Sequence, residues 1–265
     1  MKAAAFDYVK PKALHEALSL LEEAGEDARL IAGGQTLLAT LNMRLSEPSV
    51  LIDITDVAEL KGISVVGNNL RIGALVTHTE IEDSELVAKH APLLKAAAPH
   101  IAHRAIRNLG TWGGSLAYGD PAAEWPACSL TLGATMIIHG PSGERRVSAK
   151  DFFIDLYTTS LEPDEILVAT EIPLASKQEV FYFHELARRH GDYAVAGLAA
   201  VAQKQGDILT NCAFTFFSVG ATPVMATAAQ DLVDGKKLND ELIAQAVAAV
   251  RNEIEAIADI TNSAE

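Results

Sequence analysis

The first part of the chain combines one amphipathic segment with two short apolar runs. In residues 14–24, leucines and alanines recur at the spacing of one helix face. The runs 28–32 and 50–54 are apolar and short, which is typical of buried strands. We therefore predict a small α/β unit over residues 1–57.

Two antiparallel hairpins are predicted in the middle of the chain. Each consists of two strand-like runs around a glycine-containing turn, a pattern typical of hairpins. The paired runs are 63–66 with 70–73 and 135–139 with 145–148. Between the hairpins, Thr77 and Glu80 have capping-box spacing and open a helical stretch that is interrupted near Pro92. We assign residues 58–175 to a second mixed unit.

The pattern changes after the strand-like run 166–172. The polar stretch 175–178 is the best candidate for a boundary between domains. The segments 180–183, 195–202 and 208–219 resemble antiparallel strands, and the segments 226–232 and 242–257 have helical periodicity. We therefore predict a sheet packed on helices over residues 176–265, and an α+β fold for the chain.

Composition and charge exclude several classes of function. The chain has 265 residues, of which 49% are hydrophobic, so it is long enough to bury a large core. Its formal net charge of −14 disfavours nucleic acid and anionic membrane surfaces as partners. Two small basic clusters lie at 103–107 and 188–190. Each has two possible roles, which are ion pairing with the excess of acidic side chains and contact with an anion.

Cysteine usage and hydropathy indicate a cytoplasmic protein. Cys128 and Cys212 are the only cysteines, so the chain by itself forms neither a disulfide framework nor a Cys-ligated cluster. No uncharged apolar run approaches the roughly 20 residues of a membrane span, and the N-terminus lacks the apolar core of a signal peptide. We therefore expect no membrane insertion. The histidines lack the spacing of metal ligands, so we also expect no metal site.

Two Gly-Gly turns are the most informative motifs. We name residues 32–38 (AGGQTLL) the first glycine turn and residues 108–117 (NLGTWGGSLA) the second glycine turn. Glycine pairs let bare backbone N–H groups approach an anion, and the first turn also precedes a predicted helix start. The spacing fits neither GxGxxG nor a Walker loop. Together the turns predict one large phosphate-containing ligand, whereas either turn alone is more typical of an ordinary loop.

Four motifs in order resemble one family, the medium, FAD-binding subunits of the molybdenum hydroxylases. Carbon monoxide dehydrogenase and xanthine dehydrogenase are typical members. The motifs are AGGQTLL at 32–38, IRNLGTWGGSLAYGDPAAEWPA at 106–127, SLEPDEIL at 160–167 and RRHGDYA at 188–194. The resemblance implies a PCMH-type FAD-binding domain of two subdomains, 1–57 and 58–175, and a small C-terminal domain. Members commonly continue into a further helix, so we expect the domain at 176–265 to be shortened at its end.

The resemblance also implies a set of FAD-binding residues. The pyrophosphate is expected on Ala32, Gly33, Gly34, Gln35, Thr36 and Leu37, and the same phosphates and the ribitol on Thr111, Gly113, Gly114, Ser115 and Ala117. Asp120 and Glu124 are expected to contact the adenosine half, and the alternative is an Asp-Pro turn with solvated carboxylates. Trp112 and Ser115 depart from the small aliphatic residue and the Asn that are usual in the family.

Four further positions follow from the same alignment of motifs. Ile101 and Leu161 are expected to flank the flavin or adenine, although an apolar side chain is more often core. His184 falls where some members carry Lys near the flavin, and the alternative is a structural histidine. Tyr193 is expected to stack on or gate the isoalloxazine, unless it is a buried aromatic at a strand start.

The implied function is electron transfer. In the resembling complexes a large molybdopterin subunit oxidises the substrate, a small subunit carries two [2Fe–2S] clusters, and FAD passes electrons to an external acceptor. The resemblance further implies an (αβγ)2 assembly and no catalytic side chain on this chain. An autonomous flavoenzyme and a flavin-free assembly scaffold stay open as alternatives. The substrate and the acceptor are not specified by this sequence.

Overall fold

The computed structural model describes residues 2–258 and 262–264, which form three larger sheets in succession along the chain and one two-stranded sheet. The first sheet is parallel, with strand order β1-β3-β2. Its elements are β1 (Asp7–Val9), α1 (Leu14–Ala24), β2 (Ala28–Ile31), α2 (Leu37–Met43) and β3 (Val50–Asp53). Ala17 and Leu21 bury the apolar face of α1, as the periodicity predicts. The first glycine turn begins where β2 ends, at the carboxyl edge of this sheet.

The second sheet is antiparallel, with strand order β4-β5-β10-β6-β7. Its strands are β4 (Ile63–Val66), β5 (Asn69–Gly73), β6 (Thr135–Gly140), β7 (Gly143–Ser148) and β10 (Ile166–Pro173), and a separate hairpin joins β8 (Phe153–Asp155) to β9 (Thr158–Thr159). The helices of this region are α3 (His78–Asp83), α4 (Glu85–His90), α5 (Pro92–Ala97), α6 (Arg104–Arg107), α7 (Trp112–Tyr118), α8 (Glu124–Thr131) and α9 (Ala149–Phe152). Both predicted hairpins are therefore confirmed. The boundaries after residues 57 and 175 stay predictions.

Local signals explain where the helices of this region begin. The Thr77 N–H donates to Glu80 Oε2 at 2.7 Å, and the Glu80 N–H donates to Thr77 Oγ1 at 3.2 Å. This is the predicted capping box at the start of α3. Pro92 occupies the first position of α5, which separates that helix from α4 as the sequence predicts.

The third sheet is antiparallel and packs on helices, as predicted. Its strands are β11 (Glu179–Leu186), β12 (Ala196–Gln205), β13 (Ile208–Phe217), β14 (Val224–Met225) and β15 (Lys236–Lys237), and its helices are α10 (Thr227–Val233) and α11 (Asp240–Glu253). The predicted helix 242–257 was wrong at both ends. Asn239 caps α11 by accepting the Leu242 N–H at 2.8 Å, and the backbone becomes extended at Ile254.

Two tryptophans anchor the core of the second region. Trp112 and Trp125 are almost completely buried, with ring centroids 5.2 Å apart. The Trp112 indole N–H donates to Thr170 Oγ1 at 2.9 Å, so its polar atom is satisfied inside the core. Trp112, which departs from the residue usual in the family, is therefore a packing residue. It points away from the open side of the turn.

Candidate functional site

A cavity of about 950 Å³ lies between the first sheet and the second region, and both glycine turns form part of its wall. Its volume is at the upper end of the range typical of ligand sites. All of the predicted site residues except His184 line it: Ala32, Gly33, Gly34, Gln35, Thr36, Leu37, Ile101, Thr111, Gly113, Gly114, Ser115, Ala117, Asp120, Glu124, Leu161 and Tyr193. The fold therefore collects residues as far apart in the chain as Ala32 and Tyr193 around one space.

The two glycine turns touch each other. A Cβ added at Gly33 would lie 2.0 Å from the Leu109 carbonyl oxygen and 2.9 Å from the Gly110 Cα. Because these are backbone atoms, they cannot move aside as a flexible side chain can. Gly33 is therefore required for the contact between the turns, and this contact is the floor of the cavity.

The first glycine turn presents unused backbone donors. Within the described part of the chain, the N–H groups of residues 33–37 have no hydrogen-bond acceptor, and the internal ladder begins with the Leu38 N–H donating to the Gly34 carbonyl at 3.0 Å. Gly34 has a φ of +68°, a conformation that favours glycine. The Gln35 side chain donates back to the Gly33 carbonyl at 3.0 Å and braces the turn. Consecutive free N–H groups at a helix start are suited to binding an anion, and the assignment of a ligand to them stays a prediction.

The second glycine turn is built differently. The Gly113 N–H donates to the Ala74 carbonyl at 2.8 Å, the Gly114 N–H to Thr111 Oγ1 at 3.1 Å, and the Ser115 N–H to the Thr111 carbonyl at 3.1 Å. These donors are already occupied inside the protein, so this turn differs from the predicted second array of free donors. Gly114 and Ala117 are exposed on the cavity side, and the Ser115 hydroxyl has no partner among the described residues. The turn offers close approach and one hydroxyl.

Asp120 and Glu124, which follow this turn, give the cavity an acidic wall. Asp120 Oδ1 accepts the Ala122 N–H at 2.9 Å, so the residue holds a turn as well as lining the cavity. Burial raises the pKa of Asp120 above its ordinary value. Burial, together with the neighbouring charges of Glu185 and Asp120, raises the pKa of Glu124 to about 8. Glu124 is therefore largely protonated at neutral pH.

Behind this wall lies a second buried carboxyl group, that of Glu185 on β11. Burial raises the pKa of Glu185 to about 7. Its Oε1 lies 3.4 Å from Nδ1 of His100, and its Oε2 has no partner within the described residues. His184, the neighbouring residue, is exposed on β11 beside Tyr182 and is not part of the cavity wall. The predicted contact of His184 with the flavin is not supported by this position and stays a prediction.

A loop from the third sheet completes the cavity. Gly191 has a φ of +85°, and a Cβ there would lie 2.7 Å from the Ala102 carbonyl oxygen. This close approach brings Tyr193 to the cavity wall, where its ring is 67% exposed. Tyr193 is therefore not a buried aromatic at a strand start. Ile101 and Leu161 lie on the same wall and also pack on the core. Their predicted contact with the flavin or adenine stays a prediction.

Several lining residues were missed by sequence reasoning. They include the cation Arg29, the paired rings of Tyr118 and Tyr157, and His78 with Gly110. The SLEPDEIL motif follows Tyr157 closely, which is the one signal that was available for that residue. The basic cluster at 103–107 is explained by ion pairs, since Arg104 and Arg107 contact Glu82 at 2.9 and 2.8 Å.

Comparison with known proteins gives the family. The family described as "FAD binding domain in molybdopterin dehydrogenase" matches residues 4–175, and "CO dehydrogenase flavoprotein C-terminal domain" matches residues 181–265. The chain belongs to the FAD-binding medium subunits of the molybdenum hydroxylases. As a medium subunit it is part of an FAD-dependent oxidoreductase. None of its described helices is long and apolar enough to cross a membrane.

Relatives of known activity match along the full length of this medium subunit. The nicotine 6-hydroxylase medium subunit of Paenarthrobacter nicotinovorans is 38% identical over 100% of this chain and 93% of its own length. The carbon monoxide dehydrogenase structure from Hydrogenophaga pseudoflava superimposes with a TM-score of 0.97 at 36% identity, over 100% of this chain and 92% of that one. Quinoline 2-oxidoreductase from Pseudomonas putida 86 gives a TM-score of 0.94 at 41% identity, covering 99% and 91%. The α+β fold with its C-terminal sheet domain is thereby confirmed.

The cavity fits FAD on chemical grounds. The pyrophosphate of FAD needs several donors, and residues 33–37 supply five consecutive free N–H groups among the described residues. The dinucleotide needs a large space with a predominantly apolar lining, and the cavity of about 950 Å³ provides one. Which of the lining residues contact FAD stays a prediction.

Proposed function

We propose that this medium subunit binds one FAD across the cavity and passes electrons from a partner's [2Fe–2S] clusters to an external acceptor. The observation that carries the proposal is the run of free N–H groups in the first glycine turn. Uncharged N–H dipoles stabilise an anion even in a protein with a net charge of −14. The pyrophosphate is therefore assigned to residues 32–37.

The acidic wall suits the uncharged parts of the dinucleotide. Protonated Glu124 and the turn-forming Asp120 carry hydroxyl and carboxylate oxygens that suit a ribose diol. The second glycine turn is assigned to the phosphates and the ribitol, which it contacts from the side opposite the first turn. Gly114 allows the close approach, and Ser115 supplies a hydroxyl group. Ile101, Leu161 and Tyr193 are assigned to enclosing the aromatic rings.

The residues of this chain bind and orient the cofactor. When bound, FAD supplies the exchange of electrons, accepting them singly and releasing them in pairs. The first glycine turn fixes one end of the ligand, and the turn–turn contact keeps both walls at a fixed separation. The loop carrying Tyr193 restricts access of water and acceptor from the side of the third sheet. We assign no bond-breaking step to a side chain of this subunit.

The proposed partners are a large molybdopterin subunit and a small subunit with two [2Fe–2S] clusters, in an (αβγ)2 assembly. Support comes from the relatives, which include the medium chain of carbon monoxide dehydrogenase and the FAD-binding subunit of xanthine dehydrogenase. Cytoplasmic location, expected from the cysteine usage, is part of the same proposal.

The proposal is tested by the flavin content of the purified protein. We expect flavin absorption bands and, after denaturation, release of close to one FAD per chain. The variant Gly34→Val should lose flavin because Gly34 has a φ of +68° and its Cβ would meet Leu38 at 3.1 Å. Gly67→Val is the matched control, since Gly67 has a φ of +59° but no neighbour within 4 Å of its added Cβ. Absence of flavin from the wild-type protein, even after reconstitution with FAD, would overturn the proposal.

A further inference from the structure

His78 is a buried histidine that faces the contact between the two glycine turns. It is the first residue of α3, it is 6% exposed, and it lines the cavity. A Cβ added at Gly110 would lie 2.6 Å from its Nε2, so Nε2 packs against the second glycine turn. Gly110 is also the residue whose Cα opposes Gly33. His78 therefore lies beside the floor of the cavity, next to the free donors of the first turn.

The tautomer of His78 is fixed by a tryptophan. The Trp125 indole N–H donates to His78 Nδ1 at 2.9 Å, and the two rings meet edge to face at 5.8 Å. Because an indole nitrogen only donates, Nδ1 carries no hydrogen and the ring hydrogen is on Nε2. Burial, together with the positive charge of Arg107, lowers the pKa of His78 to about 4. The ring is therefore neutral under ordinary conditions, with a single N–H directed to the second glycine turn.

This N–H has no acceptor within residues 2–258 and 262–264. Among the described residues, no hydrogen bond is made by Nε2 of His78, although the side chain is more than nine-tenths buried. The rest of the ring is enclosed by protein, and Nε2 is not one of the buried unpartnered atoms, so it opens onto the cavity that His78 lines. A donor in this position forms its hydrogen bond with whatever occupies the cavity. The missing acceptor is thus expected from something that enters the cavity.

We propose that His78 is a further cofactor-binding residue, whose Nε2–H donates to an oxygen of the FAD pyrophosphate at the contact between the two glycine turns. The inference rests on the proposed function, because it needs FAD in this cavity. It adds a side-chain donor to the backbone donors of residues 33–37. The donor is uncharged, so its contribution does not depend on titration of the ring near neutral pH.

Two amide substitutions separate the two ring nitrogens. In His78→Asn the amide oxygen replaces Nδ1 as acceptor for Trp125, and no donor remains at the Nε2 position. In His78→Gln the amide nitrogen reaches the Nε2 position and restores a donor. We expect His78→Asn to weaken FAD binding about tenfold to a hundredfold, the range for a hydrogen bond to a charged group, and His78→Gln to bind within about threefold of wild type.

The measurement is titration of the apoprotein with FAD, followed by flavin fluorescence, for wild type and both variants. If the wild type itself does not bind FAD, the proposed function fails. If the wild type binds and folded His78→Asn binds equally well, only the role of His78 is overturned. Equal weakening in both variants would also overturn it, since a structural role of the ring would then explain the loss.

Nitrogen NMR of histidine-labelled wild-type protein tests the same point without a substitution. We expect the His78 signals of the Nε2–H tautomer with and without FAD, and a downfield shift of the Nε2-bound proton when FAD is added. An unchanged Nε2–H signal in the FAD-bound protein would overturn the inference.

Discussion

The two glycine turns have similar sequences and opposite hydrogen-bonding states. In the first, the N–H groups of residues 33–37 are free, whereas in the second, Gly113, Gly114 and Ser115 donate to acceptors inside the protein. The first turn leads into a wall of donors and the second into the acidic wall of Asp120 and Glu124. A Gly-Gly pair therefore leaves backbone donors free in one place, where we propose anion binding, and packs closely on the neighbouring chain in the other.

The difference is decided by the opposing chain. The end of β5 brings Ala74 against the second turn, so closely that a Cβ on Gly113 would lie 2.4 Å from the Ala74 Cβ. The Ala74 carbonyl then accepts the Gly113 N–H. No described strand supplies acceptors to the first turn in this way. The two sides of the cavity therefore differ in their polar groups, with free N–H donors on one side and carboxyl groups on the other.

The largest expected effect is at the contact that joins the two turns. In Gly33→Val, the new side chain would overlap the Leu109 carbonyl oxygen, so we expect a loss of more than about 3 kcal/mol in the free energy of unfolding, with loss of FAD. Urea denaturation of the apoprotein measures the change in stability, and the FAD content of the purified protein measures the loss of cofactor. Gly220→Val is the control, because a Cβ there meets nothing closer than 3.7 Å. A Gly33→Val protein of wild-type stability would show that the turns do not meet as described.

The next largest expected effect is the pH dependence of stability that Glu124 of the acidic wall causes, which the free donors of the first glycine turn do not share. The pKa of Glu124 is raised from 4.5 to about 8 in the folded protein, so the folded state binds the proton more tightly than the unfolded state. Stability from this group therefore falls as the pH rises between these two values. Glu124→Gln removes this pH dependence. We therefore expect the stability of the variant, measured relative to wild type, to be about 2 to 4 kcal/mol greater at about pH 9 than at about pH 5.

Denaturant titrations of the apoprotein at the two pH values test this expectation. Glu22→Gln, on the exposed side of α1, is the matched control and should show no such difference. A Glu124→Gln protein whose stability tracks the wild type at both pH values would place the carboxylate in a solvated environment.

The smallest effects compare the two threonines that precede the helices. Thr111 Oγ1 caps α7 by accepting the Gly114 N–H, whereas the Thr36 hydroxyl makes no capping bond to α2. Thr111→Val should therefore cost about 1 kcal/mol of stability and leave FAD affinity within about threefold. Thr36→Val should lower FAD affinity about tenfold with little change in stability. Paired unfolding and FAD titrations distinguish them, and identical behaviour of the two variants would remove the distinction between the turns.

Local signals in the sequence predicted much of the fold. The leucine spacing in α1, the turn glycines of both hairpins and the Thr77–Glu80 capping box each act within a few residues. Helix α8 was missed because seven of its eight residues are buried, so it has no polar face to reveal a helical period. Pro126 inside it argued further against a helix.

The motifs predicted which residues line the cavity, but their hydrogen-bonding states were not predictable. Whether Gly113 is free or bonded depends on Ala74, and the tautomer of His78 depends on Trp125. These partners are brought together only by the tertiary fold. The position of His184 outside the cavity wall was not predictable for the same reason, because pairing of β11 with β12 decides which side of the strand it lies on.

The packing of Gly191 against Ala102 also sets an order of events during synthesis. The free donors of residues 33–37 leave the ribosome early, whereas the loop that carries Tyr193 emerges only after the first two sheets have been translated. The pocket is complete only when that loop has docked, so a nascent chain that stalls before Tyr193 displays an anion site with one side open to solvent. Enclosure of a ligand on every side of this cavity therefore requires translation to have passed Tyr193.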